Sequence, residues 1–151
     1  MGTIATRRGR ISLPQQIYHV TTATMNRRQL FDSFPVASAC ARTFAGSIGS
    51  ERANLLAWVL MPDHVHWLIQ MSELCSLAAC VRRLKSASAR QIRHEHPTVH
   101  SVWQRGYYDH ALRNEESVEA VARYIVANPI RAGLVRSVRD YPFWDAVWLW
   151  R

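Results

Sequence analysis

Lysine is almost missing from this chain: Lys85 is the single one among 19 basic residues, the other 18 being arginine. Acids are also few, 11 against 19, which leaves a net charge of +8 and a pI near 10.3. A guanidinium pairs phosphate bidentately and stacks on bases, so this balance points to a nucleic-acid partner. Arginine usage set by genome composition is the alternative. Cysteine is scarce: Cys40, Cys75 and Cys80 are odd in number and lack a CxxC spacing, which predicts free thiols and a reducing cytoplasm. Long apolar runs are absent, and residues 55–62, the longest, are too short to span a bilayer. No apolar segment follows Arg7, Arg8 and Arg10, so they read as a basic arm over residues 1–16 and not as a secretory leader.

What is present suits one domain with a core: 151 residues, 48% hydrophobic, with no repeats and no linker. "IYHVTTATM" (17–25) is β-branched and aromatic, as a strand would be. Residues 33–49 have apolar positions at helical spacing, closed by glycine. "NLLAWVLM" (54–61) and residues 64–71 read as two strands joined by a "PDH" turn. Residues 76–95 form a helix with a basic face: Arg82, Arg83, Lys85, Arg90 and Arg93. A strand is expected over 106–113, then a helix over 115–128, capped by Asn114, opened by Glu115 and Glu116 and ended before Pro129. The order β-α-β-β-α-β, followed by one more helix, predicts an α+β, ferredoxin-like sandwich with an antiparallel sheet.

The stretch "MPDHVHWLIQ" (61–70) carries the first candidate site. Side chains alternate along a strand, so His64, His66, Leu68 and Gln70 share one face, and Val65, Trp67 and Ile69 share the other. Two imidazoles then converge. They are either histidines satisfied by hydrogen bonds or a pair of metal ligands. Two ligands do not define an ion site, so a third is expected elsewhere. On the helix at 115–128, Val118, Val121, Ala122 and Ile125 form an apolar stripe. Tyr124 and Asn128 are neighbours on its flank, four residues apart. Asn128 can offer a carbonyl oxygen to a hard cation, and Tyr124 a phenol. The plainer reading makes them a core-edge tyrosine and a helix-end residue. His94, His96 and His100 straddle Pro97 and read as a loop, not a zinc site. Tyr107 and Tyr108 should face opposite ways, one of them into the core.

These residues carry a resemblance. "WVLMPDHVHWLIQ" (58–70) resembles the histidine–hydrophobic–histidine motif of single-tyrosine HUH transposases. "WQRGYYDHALRNEESVEAVARYIVANPIRAGLV" (103–135) resembles the second half of their REP-associated branch, and "YHVTTATMNRRQLF" (18–31) its first strand and following loop. The resemblance implies a divalent cation, Mg²⁺ or Mn²⁺, held by His64, His66 and Asn128, with Tyr124 as nucleophile. It implies cleavage and rejoining of single-stranded DNA near a hairpin through a 5′-phosphotyrosyl link, by a monomer or a homodimer. Imidazole ligands suit Mn²⁺ better than Mg²⁺. The arginines of the 76–95 helix and of the arm, with Trp103, Tyr108 and His110, are the expected DNA contacts. A hairpin DNA- or RNA-binding module without cleavage, and a water-using phosphodiesterase, are the alternatives.

Overall fold

In the computed structural model, residues 15–114 and 116–148 are described. Strand β1 (Ile17–Ala23), helix α1 (Phe34–Ala41), hairpin strands β2 (Ala53–Met61) and β3 (His64–Met71), helix α2 (Leu77–Glu95) and strand β4 (Tyr108–Ala111) follow the expected order. Helices α3 (Val118–Val126) and α4 (Asn128–Arg131) and strand β5 (Trp144–Ala146) come after them. All pairings are antiparallel, in the spatial order β4-β1-β3-β2-β5. The first four strands thus have the 4-1-3-2 arrangement of the ferredoxin-like sandwich. No helix among the described residues is long and apolar enough to cross a membrane. Cys40, Cys75 and Cys80 are free thiols.

Alternation gives the sheet two unlike faces. Val65, Trp67 and Ile69 join Tyr18 and Val20 in a core with Ala37 and Cys40 of α1 and Leu84 and Ile92 of α2. On the opposite face Leu68, Ala57 and Val59 pack with Ala122, Ile125 and Val126 of α3, closed by Trp144 and Ala146 of β5. Ile125 is fully buried there. Its burial contributes roughly 1.5–3 kcal/mol and sets the rotation of α3, and with it the direction of its neighbour Tyr124. Helix α3 lies over β2 and β5, beside the part of the face that β3, β1 and β4 form.

Four expectations need correction. Helix α1 stops at Ala41 rather than near residue 49, because the Thr43 hydroxyl and the Thr43 and Phe44 N–H groups bond carbonyls three residues back. Asn114 does not cap α3; Ser117 does, its Oγ accepting from the Ala120 N–H at 3.2 Å. Glu116 is outside the helix, its carboxylate accepting from the Arg113 N–H at 2.7 Å, and Glu115 lies outside the described residues. Pro129 does not simply end the helix: it opens α4 from a first-turn position, where its missing N–H costs nothing. The C-terminal "FWDAVWLWR", which carries no readable motif, supplies β5, whose Trp144 Nε1 donates to the Val138 carbonyl at 2.9 Å.

Candidate active site

The β2–β3 turn brings His64 and His66 onto the α3 face of the sheet, their rings edge to face with centroids 5.0 Å apart. His64 Nδ1 lies 2.7 Å from Asp63 Oδ1. A carboxylate only accepts, so Nδ1 donates, and in the neutral ring Nε2 then carries the lone pair. The second oxygen of Asp63 pairs with Arg27 Nε at 3.2 Å. Asn26 and Arg27 both hold left-handed backbone, φ 58° and 54°, a strain on the order of 1–3 kcal/mol each. Hydrogen bonds from the Thr24 N–H to the Asp63 carbonyl and from the Met25 N–H to the Val102 carbonyl pin that loop.

His66 stands opposite Thr21 in the β1–β3 register. Its Nδ1 is 2.9 Å from His19 Nε2 and 3.0 Å from Thr21 Oγ1. With the proton on Nδ1 and donated to either partner, Nε2 of His66 becomes a second bare nitrogen beside that of His64. Burial holds His66 well below the usual histidine range, helped by His19, His64 and Arg131. His19 is pushed down to about 4 by burial and by His110. His66 and His19 are therefore neutral near pH 7, and neutral imidazole is the form that ligates metals.

Tyr124 is 61% exposed on α3, and the Arg131 guanidinium carbon lies 3.6 Å over its ring centroid. Asn128 is half-buried, and its Nδ2 donates to the Ile125 carbonyl at 2.9 Å, which leaves Oδ1 as its remaining ligand atom. Among the described residues no three His, Cys, Asp or Glu side chains cluster to hold a metal. The site offers two nitrogens, and a third protein ligand to an ion held there would be of another type, as the Asn128 amide is. Two imidazoles with fixed Nδ1 atoms and an amide oxygen are donors that fit a divalent cation of borderline hardness.

Other expected site residues are placed differently. Trp103 cannot stack on bases: it is 9% exposed, packs on Phe31 at 5.5 Å, and donates from Nε1 to Ser88 Oγ at 3.0 Å. Lys85 is tied to structure, its Nζ donating to the Gln104 and Gly106 carbonyls at 2.8 and 3.0 Å, and burial lowers it to about 8. Arg82, Arg83, Arg90 and Arg93 are exposed on α2, across the sheet from the histidines. Arg82, Arg83 and Arg90 border a groove with Thr43, Gly46 and Ser47, and Arg90 and Arg93 a second one with Met25, His100 and Ser101. Tyr107 is buried and Tyr108, on the histidine face, is 46% exposed. His110 pairs with Glu116 at 3.0 Å. Arg7, Arg8 and Arg10 lie outside the described residues.

A family model described as "Transposase IS200 like" matches residues 12–128. The chain belongs to this family. It is 31% identical over 88 residues to the REP-associated tyrosine transposase of Escherichia coli, a match covering 58% of this chain and 50% of that one. A Haemophilus influenzae protein provisionally named in the same way is 29% identical over 98 residues, covering 58% of this chain and 56% of that one. The chain thus spans about half the length of these relatives. Its fold matches a REP-associated tyrosine transposase solved with a REP hairpin bound, with TM-score 0.66, 24% identity and coverage of 89% and 79%. A provisional transposase structure from Deinococcus radiodurans matches with TM-score 0.58, 25% identity and coverage of 78% and 93%.

Sequence reading does not single out His19 and Thr21, which contact His66, or Arg131, which lies over Tyr124. Replacing His19 by Phe should leave Thr21 as the sole partner of His66 Nδ1 and mix the His66 tautomers. His19→Gln should keep the Nδ1–H form, because its amide oxygen can accept in the same place. Long-range ¹H–¹⁵N NMR of the His66 ring reads the difference; identical spectra for wild type and His19→Phe would remove His19 from this role.

Proposed function

We propose that this chain nicks and rejoins single-stranded DNA near hairpins, with Tyr124 as nucleophile. The observation that carries the reading is that α3 packs on the same sheet face as His64 and His66, so the phenol and the two bare nitrogens serve one side of the molecule. The Tyr124 oxygen attacks the phosphorus, the P–O3′ bond breaks, and a 5′-phosphotyrosyl link forms. The phenol proton is balanced by the one the released 3′-hydroxyl takes up. The reverse attack by a 3′-hydroxyl rejoins strands without an external energy source.

His64 Nε2, His66 Nε2 and Asn128 Oδ1 are the atoms that would hold a divalent cation, Mg²⁺ or Mn²⁺. Such an ion, when bound, supplies positive charge against the phosphate. Asp63, His19 and Thr21 keep the imidazole nitrogens aimed and bare. The REP hairpin bound by the relative of the same fold supports a DNA hairpin as partner.

The arginines of α2 keep the part their sequence suggests, as contacts to DNA backbone. Across the sheet from the histidines, they hold flanking DNA backbone and not the attacked phosphate. Arg82→Ala and Arg90→Ala should each flatten the slope of log affinity against log salt by roughly one unit. Lys85→Met should destabilise the fold and leave that slope unchanged, since its ammonium is spent on carbonyls. Fluorescence anisotropy with a hairpin oligonucleotide, over a salt series, checks all three; unchanged slopes for both arginine variants would move the DNA off α2. The reading as a whole is tested by incubating the protein with hairpin oligonucleotides and Mg²⁺ or Mn²⁺ and looking for adducts that survive denaturing gels.

A further inference from the structure

Tyr124 has little to hold it. Its ring is 61% exposed, and an exposed tyrosine samples several rotamers. What lies against it is Arg131, on α4 two residues past Pro129, with its guanidinium carbon 3.6 Å from the ring centroid. The placement of Arg131 is fixed by the backbone. Gly133 takes φ 76°, and the Gly133 and Leu134 N–H groups bond the Ile130 and Pro129 carbonyls at 3.0 and 2.9 Å, a left-handed closure that favours glycine. The neighbouring Arg123 is already paired with Glu119 at 3.0 Å. Arg131 has no carboxylate within ion-pair distance among the described residues, so its N–H donors are uncommitted. One cation therefore touches the tyrosine ring with its donor edge open.

We propose that Arg131 is a catalytic residue, its guanidinium stacking on Tyr124 with one face and gripping the non-bridging oxygens of the attacked phosphate with its N–H edge. The inference rests on the reading of Tyr124 as nucleophile. Stacking leaves the planar donor edge of a guanidinium free, and that edge matches a phosphate bidentately. The arrangement puts a permanent charge beside the phosphorus and restrains the ring that must deliver the attacking oxygen.

The test uses the hairpin oligonucleotide that the wild-type protein captures most often from a pool with randomised single-stranded flanks. The same oligonucleotide is also made with an uncharged methylphosphonate at the cleaved position. Arg131→Ala should slow adduct formation on the natural phosphate by about 100-fold or more, and Arg131→Lys should recover part of that loss. In a Tyr124→Phe background, where cleavage is removed, Arg131→Ala should weaken binding of the natural oligonucleotide and leave binding of the methylphosphonate unchanged. Equal losses on both oligonucleotides, or none on either, would overturn the proposal and leave the role of Tyr124 intact. An adduct formed by Tyr124→Phe, or none formed by the wild type, would overturn the reading on which it rests.

Discussion

Tyr124→Phe is expected to form no covalent adduct with hairpin DNA, a loss on the order of 10⁴-fold or more, while binding that DNA as the wild type does. The change removes one oxygen from a ring that is already 61% exposed, so stability should move by less than about 0.5 kcal/mol. The stack with Arg131 needs the ring and not the hydroxyl, and it survives. Quenched single-turnover assays on denaturing gels, with anisotropy on the same samples, separate chemistry from binding. Cleavage near the wild-type rate would make water or another residue the nucleophile.

His64→Ala and His66→Ala should each lose metal-dependent cleavage, by about 100-fold or more, and a chelator should abolish wild-type activity. The two substitutions differ in what they leave behind. His64→Ala frees Asp63, which keeps its pair with Arg27. His66→Ala removes the partner that His19 Nε2 and Thr21 Oγ1 share, so it should also lower stability. Calorimetric titration with Mn²⁺ reads the metal directly and thermal melts read the fold. Full activity in chelator would make the histidines structural. Asn128→Ala should weaken Mn²⁺ binding while DNA binding persists, since only its amide oxygen is asked to serve as ligand.

The parts of this account that were legible in the sequence are local. Strand alternation alone places His64 and His66 on one face and Trp67 on the other, and it turns Tyr107 and Tyr108 opposite ways without saying that Tyr107 is the buried one. The apolar stripe of α3 marked the face it buries. What escaped depends on register between distant segments. That Thr21 and not Val20 stands opposite His66 follows only from the β1–β3 pairing, and His19 enters through its reach across that ladder. Arg131 was hidden by Pro129, which breaks the helical count that would have linked it to Tyr124. The basic face of α2 is legible in the sequence, but periodicity does not say which side of a sheet a helix covers. Strand β5 spans only Trp144–Ala146, too short to show alternation.

The most direct test of the central claim is to locate the DNA on the protein. Trypsin should release residues 124–131, Tyr-Ile-Val-Ala-Asn-Pro-Ile-Arg, with Tyr124 at its first position. After the adduct is trimmed with nuclease, tandem mass spectrometry should find a nucleotide 5′-phosphate on the Tyr124 oxygen of that peptide. The same phosphate on Tyr108, on a histidine or on a serine, or an unmodified 124–131 peptide from protein that has cleaved its DNA, would contradict it.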